Sequence, residues 1–119
     1  MTVAGHRRER LAEEILHEVD TMLAGELKDP RLAVPANVTE VRLAPDMRQA
    51  RIFVTVLGTE AEQQSVMEGL AAAAGFVRHE LAERLQLRRR LDIFFVLDHS
   101  EEYGQHIDEL LRQTKKSET

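Results

Sequence analysis

Arginine is the residue type that gives this chain its clearest chemical signal. Arg88, Arg89 and Arg90 are consecutive, and Arg78 and Arg84 precede them on the same predicted helix. A guanidinium group stays charged at neutral pH and presents its donors in a rigid fork, which suits it to phosphate groups. One interpretation is therefore a phosphate-contacting surface. The other is a solvated turn, because arginines are also favourable at the C-terminal end of a helix.

A second, smaller basic group lies near the start of the chain and consists of Arg7, Arg8 and Arg10. The formal net charge of −5 alone argues against a nucleic-acid partner. Phosphate contacts respond to local potential, however, and residues 76–91 contain five arginines against two acidic side chains. We expect any polyanion to meet the protein at these two basic groups.

Signals for catalysis are few. The chain has no glycine-rich phosphate loop and no Gly-x-Ser-x-Gly elbow. The segment after His79 partly resembles a zinc-protease helix, but Glu83 occupies the position of the second histidine ligand, and Leu81 is needed in the core. We predict no catalytic residue, no metal site and no cofactor.

Two alternative functions remain open. A small metal-dependent hydrolase would use a cluster near the start of the last predicted helix: His99, Glu101, Glu102 and His106. A protein-interaction module would use the acidic face of the first predicted helix: Glu13, Glu14, Glu18 and Asp20. The hydrolase would contain bound metal. The interaction module would bind with little salt dependence, whereas phosphate contacts weaken steeply as ionic strength rises.

The composition is that of one soluble domain. With 119 residues, of which 43% are apolar, the chain is long enough to bury a core. The absence of cysteine removes disulfides and thiolate metal sites and is compatible with the cytoplasm. There is no run of about 18 apolar residues that could span a membrane, and the first residues lack the apolar segment of a secretory signal. We expect a cytoplasmic monomer with no membrane partner.

Apolar periodicity predicts the elements that position these side chains. In chain order these are a helix, the two strands of a hairpin and a buried third strand: residues 7–27, 38–43, 49–57 and 91–97. The first helix should end before Asp29 and Pro30, because a residue that precedes proline is pushed out of the helical region.

Between the second and third strands, the sequence predicts two helices joined at a glycine. Thr59 and Glu62 form a capping-box pattern that begins the first of them. Its apolar stripe stops at Gly75, after Ala73 and Ala74, and then resumes. A glycine inside a helix costs about 1 kcal/mol relative to alanine, so we predict a kink or a close backbone approach there. The alternative is a helix packed tightly on the sheet, in which Gly75 is only tolerated.

This order of elements predicts an α+β fold, a two-layer sandwich with the helices on one face of the sheet. A short last helix should begin at Ser100 and present Leu110 and Leu111 as part of its apolar side. We assign residues 1–112 to one domain. Residues 113–119 should be disordered, because they have nothing to bury.

Several short pieces occur in a specific order and spacing: Arg7 to Arg10, Asp29-Pro30-Arg31, Val41 through Asp46 to Ala50, Ala74-Gly75 with Arg78 and Leu81, Leu87-Arg88, Phe95, and Asp98-x-Ser100-x-x-x-Gly104-x-x-Ile107-x-x-Leu110-Leu111. Together they resemble ribosome-binding factor A, a bacterial family, over about residues 7–111. One difference concerns the start of the last strand. The family usually has a proline there before an acidic residue, and this chain has Leu91 before Asp92.

The resemblance implies a type II KH-like domain (α-β-β-α-kink-α-β), in which an Ala-x-Gly kink replaces the nucleotide-clamping Gly-x-x-Gly turn. It also implies a non-enzymatic factor that binds the free 30S subunit and its 16S rRNA. Because the net charge is acidic, RNA contact should be local or shared with ribosomal proteins. Late 30S maturation, 16S rRNA 5′-end processing and cold adaptation are the implied roles. We predict that the kink at Ala73, Ala74 and Gly75 shapes the surface. The predicted RNA contacts are Arg7, Arg8, Arg10, Arg78, Arg84, Arg88, Arg89 and Arg90.

Overall fold

A computed structural model of the chain describes residues 3–99, with side chains from residue 6 onwards. The elements are α1 (Val3–Thr21), a π-helical turn (Met22–Glu26), a 3-10 turn (Pro30–Leu32), β1 (Ala36–Leu43), β2 (Gln49–Val56), α2 (Glu60–Arg84) and β3 (Asp92–Leu97). Neither α-helix in this part of the chain is long and apolar enough to cross a membrane. The predicted last helix, the predicted tail and the end of the predicted domain lie outside the described residues.

The three strands form one sheet in the order β1-β2-β3. β1 and β2 are antiparallel, as the predicted hairpin requires, and β2 and β3 are parallel, so the chain crosses back through α2. The β1–β2 register shifts between Val38 and Glu40. At this irregularity the Thr39 hydroxyl donates a hydrogen bond of 2.6 Å to the carboxylate of Asp98, which ties β1 to the end of β3 across the central strand.

Both helices pack on the same face of the sheet, because each presents an apolar stripe that must be buried. The side chains with no exposed surface come from the helical segments and from the central strand: Ile15, Val19, Met22, Ala50, Ile52, Val54, Val66, Leu70, Val77 and Leu81. Leu91, at the position where the family usually has proline, is also buried. Since side chains alternate along a strand, Arg51 and Phe53 of β2 lie on the other face, which no described helix covers.

The predicted division of the crossover into two helices is wrong. α2 is a single helix of 25 residues that continues through Ala73, Ala74 and Gly75. The physical reason is tertiary packing, which outweighs a local cost of about 1 kcal/mol for one glycine. Val66 and Leu81, near the two ends of the helix, are both fully buried in the same core, so the two halves are held on the sheet together.

The ends of α2 are defined by hydrogen bonds. At its start, Thr59 and Glu62 form the predicted capping box, with bonds of 2.9 and 3.2 Å between each side chain and the other residue's backbone N–H. At its end, the Leu87 N–H donates to the Ala82 carbonyl at 3.0 Å, across Gln86 in the left-handed region at φ 51°. This is the arrangement of a Schellman cap, in which glycine is common at the position that Gln86 occupies.

A close backbone approach does occur in α2, at Gly69 rather than at Gly75. A β-carbon on Gly69 would lie 3.1 Å from Arg31 Cβ and from Leu32 Cδ2 of the 3-10 turn. Around the equivalent point on Gly75 nothing lies within 4 Å. The glycine that packing requires is therefore the buried one, and the exposed one has room for a side chain.

We predict that Gly75→Ala raises the free energy of unfolding by about 1 kcal/mol, because alanine has the higher helix propensity and its methyl group meets nothing. Gly69→Ala, in the same helix, is the matched control. It should gain less, or lose stability, because Arg31 and Leu32 must move to make room. Denaturant unfolding measures both variants, and equal gains would contradict the assignment of the close approach to Gly69.

Candidate functional site

Side chains from three separate segments line one cleft of about 470 Å³. They are Arg7 and Leu11 of α1, Asp46 and Met47 of the hairpin turn, and Gln86, Leu87, Arg88, Arg89 and Leu91 of the segment after α2. A neighbouring hollow shares Arg89 and is also lined by Arg48, Arg90 and Asp92. The two basic groups of the sequence therefore meet on one surface. We name this surface the arginine cleft and define it by five residues: Arg7, Arg48, Arg88, Arg89 and Arg90.

Most guanidinium groups of the arginine cleft form no ion pair with a described carboxylate of the protein. Among the described residues, no carboxylate lies within ion-pair distance of Arg7, Arg48, Arg88 or Arg89. Arg90 donates to Asp92 at 2.8 Å but keeps 70% of its side chain exposed. These guanidinium groups are thus available to an outside anion, and phosphate is the anion whose geometry they fit.

Two strained residues line the same cleft. Met47 (φ 59°) and Gln86 (φ 51°) are the non-glycine residues with positive φ in the part of the chain that the structure describes. Such conformations persist only where the surrounding structure imposes them, and they are concentrated at functional sites. The Met47 N–H donates to the Ala44 carbonyl at 2.8 Å, so the hairpin turn holds one of the two in place. The strain therefore lies where the basic segments converge.

Arg84, one of the predicted RNA contacts, is committed elsewhere. Its guanidinium donates to Glu26 at 2.8 Å and to Glu18 and Glu80 at 3.2 Å each. These bonds join α1, the π-helical turn and α2. The hydrogen bond from Arg84 holds the pKa of Glu26 below the ordinary value of 4.5. Because three carboxylates already use its donors, we leave Arg84 out of the candidate surface.

The other predicted contacts divide. Arg8 and Arg10 are exposed on the first turns of α1, beside Arg7, but do not line the cleft. Arg78 lies 3.8 Å from Asp92, the residue that also binds Arg90, and it lines a separate groove of about 300 Å³ between α2 and β3.

The three residues of the predicted kink line two different hollows. Ala74 and Gly75 line the groove between α2 and β3 with Arg78. Ala73 lines a different hollow, beside Phe76 and the 3-10 turn. Whether these three residues shape an RNA surface stays a prediction.

The structure describes only some of the residues that the two alternative functions would use. On the acidic face of α1, Glu18 binds Arg84 and Asp20 accepts a hydrogen bond of 3.1 Å from the Val38 N–H, so both have internal roles. Within residues 3–99, no group of three or more histidine, aspartate or glutamate side chains is arranged so that it could hold a metal ion. The cluster proposed around His106 lies outside the described residues.

Arg48 is the cleft residue that sequence reasoning missed. Residues 30–75, which include Arg48, contain four basic and five acidic residues, so the local net charge does not indicate a basic patch there. The available clue was its place directly after the predicted hairpin turn, where a side chain is exposed next to other segments. The Asp46 carboxylate accepts a hydrogen bond of 3.1 Å from the Arg48 N–H, which fixes that turn.

Comparison with known proteins gives consistent results. The family model described as Ribosome-binding factor A matches residues 7–111. A protein of that name from Caldanaerobacter subterraneus subsp. tengcongensis is 40% identical over 113 residues, which are 95% of this chain and 93% of that protein.

One solved structure and one homology model fitted into a cryo-EM map share the fold. The solution NMR structure of the Thermotoga maritima protein TM0855, a putative ribosome binding factor A, is 33% identical, with a TM-score of 0.67 over 81% of this chain and 90% of that one. A Thermus thermophilus ribosome binding factor A homology model, fitted into a cryo-EM map of a 30S complex, is 23% identical, with a TM-score of 0.55 over 72% and 93%. The predicted KH-like fold class is confirmed.

We predict that Arg84→Gln lowers the melting temperature and reduces its pH dependence in acid. The pKa of Glu26 is lowered in the folded protein, so its ion pair contributes stability that is complete above pH 4.5 and is lost as the pH falls through the folded-state pKa. Melting followed by circular dichroism from neutral to acidic pH tests this. Arg88→Gln is the matched control and should leave the curve unchanged. Superimposable curves for wild type and Arg84→Gln would refute the role of this ion-pair group.

Proposed function

Because the chain belongs to the ribosome-binding factor A family, we propose that it binds the small ribosomal subunit and that the arginine cleft makes the contact. The family match covers most of the chain, and a Thermus thermophilus protein of the same family has been fitted into a map of a 30S complex. Both findings support the small ribosomal subunit as the partner. The choice of surface rests on the residues of this chain.

The observation that carries the proposal is the convergence of three chain segments on one cleft. Arginines from the start of α1, the hairpin turn and the loop after α2 share it, and the two strained residues of the described chain lie in its wall. A cluster of unpaired guanidinium groups raises the local potential even though the formal net charge is −5. Ribosomal RNA offers the phosphates that such a cluster binds.

We propose further that the bound RNA is 16S rRNA and that the protein acts without catalysis in the cytoplasm, during late maturation of the 30S subunit. Assistance to 5′-end processing and to growth in the cold would follow from that role. A binding factor can favour one conformation of the maturing RNA through the free energy of its contacts alone, because a ligand shifts an equilibrium toward the state that it binds more tightly.

We predict that Arg89→Glu weakens binding to 30S subunits at least about tenfold, since a lost charge-assisted contact costs about 1.5–3 kcal/mol. Arg89 is the best single target because it lines both the cleft and the adjoining hollow. Lys28→Glu, at an exposed position beyond the other end of α1, makes the same change in net charge and should bind like wild type. Cosedimentation with purified 30S subunits at fixed salt measures all three proteins.

Two outcomes of that experiment would contradict the proposal. Equal loss in both variants would mean that net charge alone governs binding, and no loss in Arg89→Glu would mean that another surface makes the contact. For the maturation role, sucrose-gradient analysis of cells that lack the protein should show free small subunits with unprocessed 16S precursor. A normal profile and mature 5′ ends, also in the cold, would refute that role.

A further inference from the structure

The uncovered face of the sheet carries a row of three side chains, one from each strand. Arg42 of β1 pairs with Arg51 of β2, and Arg51 pairs with Phe94 of β3. Neighbouring strands lie about 4.8 Å apart, so the three side chains are immediate neighbours. We name these residues the sheet row.

Phe94 is unusually exposed for an aromatic residue in a sheet. Its relative exposure is 51%, and it is one of three large apolar side chains that the described part of the chain leaves in solvent. Its partner in the parallel pairing is Arg51, so no apolar side chain lies directly opposite the ring. An exposed aromatic ring next to cations is a common platform for a nucleobase.

The two arginines of the row face each other directly, and like charges at paired positions are destabilising. Arg42 has internal partners, since it donates to Glu40 at 2.9 Å and its guanidinium lies 5.1 Å from the ring centroid of Phe53. Arg51 is exposed and has no carboxylate within ion-pair distance among the described residues. Glu40 already neutralises Arg42, so Arg51 is the arginine of this pair whose charge an anionic ligand would neutralise.

The sheet row continues toward the arginine cleft. The next pair on the same face is Gln49 and Asp92. Arg48 immediately precedes Gln49 in the chain, and Arg90 lies two residues before Asp92, so both belong to the adjoining arginine cleft. Residues of one face are about 6.6 Å apart along a strand, which makes the step short. In the opposite direction the next row contains Glu40, and Asp98 follows the end of β3, so carboxylates disfavour an anion there. On the side of the cleft, Asp92 is paired with Arg90.

From this geometry we propose that the sheet row binds a single-stranded stretch of RNA, with a base stacked on Phe94 and the adjacent phosphates held by Arg51 and Arg42. The proposal rests on the proposed function, because it extends the path of the same RNA from the arginine cleft onto the open face of the sheet. A single strand is required, since a base must leave its helical stack before it can stack on a side chain.

The natural chain contains no tryptophan, so Phe94→Trp in the full-length protein introduces a unique fluorescent probe. We expect emission typical of a solvent-exposed indole, with strong quenching when a single-stranded oligoadenylate is added, because a stacked base quenches indole fluorescence. Phe76→Trp is the matched control, since Phe76 is equally exposed at 49% but lies on α2. It should show the same exposed emission and little quenching.

Two outcomes would overturn the proposal. One is the absence of quenching at position 94 under conditions in which the oligoadenylate is bound, as measured by anisotropy of a labelled oligonucleotide. The other is a blue-shifted, shielded emission without RNA, which would mean that another occupant, such as residues 100–119 or a second copy, covers the face.

The contribution of the native Phe94 ring is tested with Phe94→Ser. This variant should bind oligoadenylate about tenfold more weakly, as expected for the loss of one stacked base. Phe76→Ser should not weaken this binding. Equal affinity of Phe94→Ser and wild type would overturn the sheet row. If at the same time Arg89→Glu still lost 30S binding, the proposed function would stand and only this extension would fail. If Arg89→Glu bound 30S normally, the proposed role of the arginine cleft in 30S binding would be wrong.

Discussion

Burial of the central strand on one face only is the constraint on which the rest of this structure depends. Ala50, Ile52 and Val54 have no exposed surface because both helices lie over them. This one-sided packing holds both helices on the same face, and the beginning of α1, the hairpin turn and the loop after α2 then meet at one edge. It also leaves the opposite face of β2 without a helical cover in the described chain. Both proposed RNA surfaces follow from that asymmetry.

Arginines with similar sequence surroundings have different physical roles in this fold. Arg84 and Arg88 are one helical turn apart in sequence, yet Arg84 reaches three carboxylates and Arg88 reaches none of those described. The left-handed residue Gln86 explains the difference, because it ends the helix between them and turns the chain toward the hairpin. A cation that is neutralised internally supports the fold, and one left unpaired remains available to a partner.

The sequence predicted the hairpin, the third strand, the capping box and the fold class, because hydrophobic periodicity and turn residues are local signals. It misjudged Gly75, since only the packing of Val66 and Leu81 on one sheet shows that the helix continues. It also could not separate Arg84 from its neighbours, because Glu18 and Glu26 are far away in sequence. The arginine cleft depends on long-range contacts of the same kind.

The most direct test of the arginine cleft is the salt dependence of 30S binding. The slope of log K against log salt counts the phosphates that a protein neutralises, and each contact contributes about 0.7–0.9. We predict a steep slope for wild type that falls by about two such increments in Arg88→Gln/Arg89→Gln, with a normal slope in Arg84→Gln. A flat response for wild type, or an unchanged slope in the double variant, would contradict the claim that these arginines contact ribosomal RNA.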